Sequence, residues 1–221
     1  MANVWRENGL SIVMMIFFLL FLFGQSVAGH KVENEEFAEH GAALPTYWQY
    51  LASGGFVEAT FENWESEFLQ MGAYVLLTVF LRQKGSAESK KLVGKEKVDA
   101  DPRRAGDKRN APWPVRKGGL VLSLYEHSLT LAFLVLFLGS FMLHAAGGAA
   151  DYNQLQALHG GSSVSTLQYL ATPRFWFESF QNWQSEFLAV AAIVVLSIFL
   201  RQRGSPESKP VAVPHRETGH G

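Results

Sequence analysis

The sequence predicts an all-α, polytopic membrane protein with four transmembrane helices, arranged as two tandem, parallel two-helix repeats. Three observations predict this fold: a long stretch that occurs twice, four apolar blocks, and a one-sided distribution of cationic residues. Phe61 to Lys90 recurs 119 residues later as Phe180 to Lys209, with 19 of 30 residues identical. At the same offset, Trp5 to Lys90 aligns with Leu124 to Lys209 without a gap, with 33 identities in 86 positions. Because two spans return the chain to its starting side, both copies are expected to have the same orientation.

The apolar blocks are separated by the charged parts of the chain, as in a multi-span membrane protein. A span needs about 20 mostly apolar residues, so the second and fourth blocks are short. They become long enough if the helices begin near Trp64 and Trp183, at the headgroup level, and end at arginines that can snorkel. The four blocks are Leu10 to Ala28, Phe68 to Leu81, Leu129 to Leu143 and Phe187 to Leu200.

The charges predict the orientation of the spans. Of 19 lysines and arginines, only Lys31 and Arg174 lie in the segments that join span one to span two or span three to span four. The positive-inside rule therefore places both termini and the central linker in the cytoplasm. Cysteine is absent, which excludes a disulfide framework and a thiolate metal site.

The repeat divides the chain into four segments. Residues 1–90 form the first two-span repeat, 91–118 a charged and flexible cytoplasmic linker, 119–209 the second repeat, and 210–221 a disordered cytoplasmic tail. The first span, predicted from after Glu7 to about Ala28, is expected to stay uncleaved. Although Ser26 to Ala28 resembles a signal-peptide cleavage site, the same segment recurs inside the chain. Ser86 to Glu88 and Ser205 to Glu207 resemble the start of a short helix.

A polar line runs beside an apolar stripe of helical period at the start of spans two and four. The stripe predicts that these helices begin near residues 56 and 175. Two interpretations of the acidic residues stay open. In the favoured interpretation, each acidic residue of the line lies in the first turn of its helix, behind an asparagine N-cap. In the other interpretation, both acidic residues belong to a cation or proton site. The line consists of Thr60, Asn63 and Glu67 in the first repeat and Ser179, Asn182 and Glu186 in the second.

Charged residues also mark the cytoplasmic ends of the spans. Glu7 and Glu126 stand near the predicted N-termini of spans one and three, where the helix dipole favours a negative charge. The alternative is an ion pair with Arg82 or Arg201, which end their spans on the same side.

No residue pattern predicts catalysis, a cofactor or a metal. His40 and His159 are the only duplicated histidines, and without the spacing of a metal motif they favour a turn or cap role. Paired histidines for haem are missing because His127 and His144 are matched by Asn8 and Gln25 in the other repeat. The basic linker is explained by topology and lipid contact rather than by nucleic acid.

Three motifs carry a resemblance to a known family. They are R-E-N-G-L-S at Arg6 to Ser11, N-W-x-S-E-F-L at Asn63 to Leu69 and again at Asn182 to Leu188, and F-L-R-Q-x-G-S-x-E-S-K at the ends of spans two and four. In these the chain resembles an uncharacterised bacterial inner-membrane protein family, a domain of unknown function. The resemblance implies a bacterial origin and implies no activity or catalytic residue.

Two classes of function follow from the sequence. The favoured one is a non-catalytic scaffold or accessory subunit of a membrane complex, in which the repeated polar residues are caps and contacts between helices. The alternative is a small cation or proton translocation element that uses Glu67 and Glu186. The expected partners are the lipid bilayer and either another membrane protein or a second copy of the chain.

Overall fold

The computed structural model describes residues 2–104 and 109–219, and in these residues the secondary structure is helical, without a strand. Residues 105–108 of the predicted linker and 220–221 of the predicted tail lie outside the described residues. Two short 3₁₀ helices, Lys97–Asp99 and Pro102–Arg104, occur in the linker. The α-helices are α1 (Ala2–Glu39), α2 (Tyr47–Leu51), α3 (Gly54–Phe80), α4 (Trp113–Lys117), α5 (Gly119–Glu126), α6 (Ser128–Leu158), α7 (Thr166–Leu170) and α8 (Pro173–Phe199).

Three helices among the described residues are long and apolar enough to cross a membrane: Val4–Glu39, Ser128–Leu158 and Pro173–Phe199. The second predicted span, which lies in α3, is not one of them. Its first half carries four glutamates, at positions 58, 62, 65 and 67, and leaves only 13 residues from Phe68 to Phe80 free of charge. At 1.5 Å per residue, this apolar part is about 20 Å long, against about 30 Å for a hydrocarbon core.

Two of the helices that are long and apolar enough to cross a membrane extend further than their apolar blocks. Helix α1 continues through the acidic segment to Glu39, where the sequence predicts an end near Ala28. Helix α6 likewise continues from its apolar block to Leu158. Neither extension contains a proline, and alanine, glutamate and glutamine are good helix formers, so nothing local ends the helix at the last apolar residue.

The chain forms two compact units that do not coincide with the two predicted repeats. Unit 1 consists of residues 1–62 and 141–176, and unit 2 of residues 63–140 and 177–221. Each unit therefore combines residues from both repeats.

In unit 1 the start of α3 packs against the second half of α6 at small residues. A Cβ added to Gly54 would lie 2.7 Å from the backbone oxygen of Gly147, and one added to Gly147 would lie 2.6 Å from the backbone nitrogen of Glu58. Such distances allow no side chain, so the two backbones are in direct contact. A small apolar cluster lies in the same unit and contains Ala145, Ala149, Tyr169 and Phe175.

In unit 2 the segments that follow α3 and α8 are turns. The short helices predicted at Ser86 to Glu88 and Ser205 to Glu207 are wrong. The hydroxyl of Ser86 accepts a hydrogen bond from the Glu88 backbone N–H, and Ser205 does the same for Glu207, both at 3.1 Å. Serine that bonds to the backbone two residues ahead stabilises a turn in place of a helix.

The C-terminal segment makes specific contacts where the sequence predicts disorder. The Lys209 ammonium is buried and donates to the backbone oxygens of Gly85, His215 and Glu217. The Thr218 hydroxyl accepts a hydrogen bond from the Gly85 N–H at 2.9 Å. Residues 210–219 thereby pack on the turn that follows α3.

Candidate functional site

The polar line lies inside the two long helices and not at their ends. Because α3 begins at Gly54 and α8 at Pro173, Asn63 and Asn182 are interior residues. The predicted N-cap role of both asparagines is therefore wrong. Glu67 and Glu186 lie beyond the first turn for the same reason, so stabilisation by the helix dipole does not account for them.

The two hydroxyl residues of the line are both buried, but in different units. Thr60, in unit 1, is 5% exposed and its hydroxyl accepts a hydrogen bond from the Gln25 amide of α1 at 3.4 Å. Ser179, in unit 2, has no exposed surface. Equivalent positions of the repeat therefore hold different partners.

A buried carboxylate, which the repeat pattern does not reveal, joins α3 to α8 in unit 2. Glu65 has no exposed surface. Its Oε1 atom accepts a hydrogen bond from the Ser179 hydroxyl at 2.8 Å and one from the Trp183 indole N–H at 3.2 Å. Hydrogen bonds of this kind between helices stabilise membrane bundles, where a buried acid without partners costs several kcal/mol.

The two repeated carboxylates of the line, Glu67 of α3 and Glu186 of α8, interact electrostatically in unit 2. Glu67 is exposed and Glu186 is half-buried, and they are close enough for their negative charges to repel. Two like charges within electrostatic range favour uptake of a proton or a counter-ion. This arrangement agrees with the second of the two interpretations of these residues.

A second polar cluster lies in unit 1. The Tyr169 hydroxyl donates to Glu58 Oε1 at 2.8 Å, and the Arg174 guanidinium lies 3.8 Å from the same oxygen and 3.4 Å from Asp151. His144 is fully buried, and its ring stacks on Phe175 with centroids 4.6 Å apart. The cluster thus pairs a buried acid with a phenol and a cation.

Of the groups at the predicted cytoplasmic ends, Glu126 has a different partner from the one predicted. Both of its carboxylate oxygens accept hydrogen bonds from the linker residue Arg103, at 2.9 and 3.0 Å. Arg82 and Arg201 each donate to the last carbonyls of their own helices, Arg201 at 3.1 Å to Ser197. Glu7 is an exposed residue of α1, and its pairing with an arginine stays a prediction.

The predicted cap role of His40 and His159 is confirmed. Each follows the last residue of a long helix, and its Nδ1 is bonded to the backbone oxygen four residues before it. A glycine with positive φ comes next in both cases, Gly41 at 62° and Gly160 at 70°.

The comparison with protein families decides where the chain belongs. A family model described as a domain of unknown function (DUF6766) matches residues 1–220. The chain is a member of this family. Neither the comparison with curated proteins nor the comparison with solved structures found a match.

Among the described residues of this DUF6766 chain, the most buried acids lie outside the residues that the sequence repeats. Glu58 is matched by Phe177 in the second repeat, and Glu65 by Gln184. A search for polar residues shared by both repeats therefore passes over them. One feature of the sequence does point to these two acids. Glu58 and Glu65 are seven residues apart, which places both on one face of a helix.

Proposed function

We propose that this DUF6766 protein is a four-span protein of the bacterial cytoplasmic membrane that binds a proton or a small cation at Glu67 and Glu186. The single observation that carries the proposal is that these two carboxylates lie within electrostatic range of each other inside long helices. Ionisable residues in spanning segments are costly and commonly mark ion or proton sites. No catalytic activity is part of the proposal, because no nucleophile and base occur together in the motifs.

The fourth span in this proposal is α3. Its bounds and those of α8 differ by the same 119 residues that separate the repeated stretches, and both helices have 27 residues. At 1.5 Å per residue each is about 40 Å long, enough to cross a bilayer with its glutamates near one surface. The excess of cationic residues outside the two short connections supports cytoplasmic termini.

The test uses a hydrophobic carbodiimide, which modifies protonated carboxyl groups in apolar surroundings. The purified chain in lipid nanodiscs is treated at several pH values and Na⁺ or K⁺ concentrations, and modified residues are located by mass spectrometry. We expect modification at Glu67 or Glu186 that falls as pH or cation concentration rises. We also expect Glu67→Gln to reduce modification of Glu186, because the neighbouring charge is gone.

The control variant is Glu7→Gln, which changes an exposed carboxylate of α1 and should leave the labelling of both sites unchanged. Labelling of Glu67 and Glu186 that depends on neither pH nor any cation would refute the proposal. If binding is found, flux of the same cation in proteoliposomes decides between a binding site and a translocation element.

The scaffold function remains a second candidate because a specific contact favours it. The bonds from Ser179 and Trp183 to Glu65 connect two long helices of unit 2 directly. A scaffold should co-purify with a larger membrane complex in mild detergent, and it should retain that complex when Glu67 is replaced by glutamine.

A further inference from the structure

The duplicated histidines meet at the ends of α1 and α6 in unit 1. His40 Nε2 lies 3.2 Å from His159 Nε2, and the two rings are 4.7 Å apart at an interplanar angle of 76°. The residues are 119 positions apart, so the contact joins equivalent positions of the two repeats. Both side chains are exposed and therefore accessible to an ion in solution.

Hydrogen bonds to the backbone determine which ring nitrogen is the donor. The Nδ1 atom of His40 lies 2.9 Å from the oxygen of Glu36, and that of His159 lies 2.8 Å from the oxygen of Leu155. A carbonyl oxygen only accepts, so each Nδ1 carries the hydrogen. In the neutral rings, both Nε2 atoms then present a lone pair to each other.

Two facing lone pairs at this distance repel unless a positive species lies between them. A proton bonded to one Nε2 and hydrogen-bonded to the other satisfies both lone pairs, and so does a metal ion bound by both nitrogens. With Zn–N bonds of about 2.0–2.1 Å and tetrahedral angles, two imidazole nitrogens lie about 3.3 Å apart. The observed separation of 3.2 Å fits this value without movement of the backbone.

The surroundings of the two histidine rings favour a positive species, whether a proton or a metal ion. The C-terminal ends of two helices meet here, and each carries partial negative charge. Glu35, Glu36 and Glu39 precede His40 and add negative charge to the same end of α1. In addition, a histidine that binds a metal commonly donates its other ring N–H to a backbone carbonyl, which orients the ring.

We propose that His40 and His159 form a binding site for a divalent transition metal ion that imidazole prefers, such as Zn²⁺, Ni²⁺ or Cu²⁺. The ion is held by the two Nε2 atoms, and water occupies the remaining positions at the exposed side. The site joins the ends of the first and third long helices. It is independent of the carboxylates Glu67 and Glu186 and of the function proposed for them.

The experiment measures metal binding by the full chain in detergent micelles, purified without a histidine tag and freed of metal. Zn²⁺ and Ni²⁺ are titrated in competition with a chromophoric chelator, and Cu²⁺ is examined by electron paramagnetic resonance. We expect one ion per chain and nitrogen hyperfine coupling from two imidazoles. His40→Ala and His159→Ala should each weaken binding about tenfold or more, because one of two protein ligands is lost.

The matched control is His127→Ala, which removes an exposed histidine outside the pair and should bind metal as the unaltered chain does. His40→Gln retains a hydrogen-bonding side chain, so a loss of metal affinity in this variant separates ligation from helix capping. The proposal is overturned if the double variant His40→Ala/His159→Ala binds as much metal as the unaltered chain. If the unaltered chain binds no metal ion, the two histidines share a proton instead. That result would equally overturn the proposal.

Discussion

Identical residues at equivalent positions of the repeat have different environments. Lys90 and Lys209 both end the repeated stretch. Lys90 forms an ion pair with Asp99 at 2.6 Å near the surface, and this hydrogen bond lowers the pKa of the Asp99 carboxyl. Lys209 is 1% exposed, and its ammonium donates to backbone oxygens. The difference arises from the residues after each lysine, since the position equivalent to Asp99 is Thr218.

At the residue scale we predict that Lys209→Met destabilises the protein far more than Lys90→Met. The first substitution leaves the backbone oxygen of the buried Gly85 without its donor, at about 1–3 kcal/mol. The second breaks an ion pair near the surface, where screening by solvent keeps the contribution of the pair to stability small. The free energy of unfolding of both variants, measured in the same micelles, checks the prediction. Equal losses for the two variants would contradict it.

The short helices α2 and α7 dock on the long helices through tyrosine. Thr46 and Ser165 cap them, each with a glutamine three residues ahead in a reciprocal capping box. Each helix then presents a buried tyrosine, Tyr50 or Tyr169, to a glycine of a long helix, Gly29 of α1 or Gly148 of α6. Burial, and then the charge of Glu33, raises the pKa of the Tyr50 phenol and keeps it neutral.

At the element scale we predict that Gly29→Ala and Gly148→Ala lower the free energy of unfolding by about 1–3 kcal/mol each, because the added methyl group would overlap the tyrosine. Gly24→Ala and Gly139→Ala are the matched controls, since a Cβ at either position meets no atom within 4 Å. Alanine in these helix interiors should be neutral or slightly stabilising.

A second substitution tests the geometry of this overlap. At Gly29 the nearest atom is the Tyr50 hydroxyl oxygen, whereas at Gly148 it is a ring carbon of Tyr169. Tyr50→Phe should therefore partly restore stability to Gly29→Ala, and Tyr169→Phe should not restore it to Gly148→Ala. Rescue of both variants, or of neither, would show that the tyrosines do not dock as described.

For the whole molecule, the number of spans is the property that the remaining proposals depend on. Three helices of the described residues meet the length and apolarity of a span. Whether α3 crosses as well decides the side on which the linker lies. If it crosses, the linker lies on the same side as the N-terminus; if it does not, the linker lies on the opposite side.

We predict the four-span arrangement and test it with single cysteines, which the natural chain lacks. Ala43→Cys and Ser162→Cys, in exposed connections between helices, should react with a membrane-impermeant maleimide in intact cells. Lys95→Cys and Val211→Cys should react only after the membrane is permeabilised. Reaction of both Ala43→Cys and Lys95→Cys in intact cells, or of neither, would instead place both ends of α3 on one side and exclude α3 as a span.

The sequence by itself determined the helical class, the apolar blocks of the three helices that are long and apolar enough to cross a membrane, and the membership of the family, because these depend on composition, period and motif along the chain. It also predicted a fourth span in α3, which is not among those three helices. Only the tertiary structure decided which polar residues are buried. Glu58 and Glu65 gain their partners from residues more than 100 positions away, and Asn63 loses its cap role because the helix begins nine residues earlier. Burial and hydrogen bonding depend on which side chain lies opposite, and a repeat in the sequence does not contain that information.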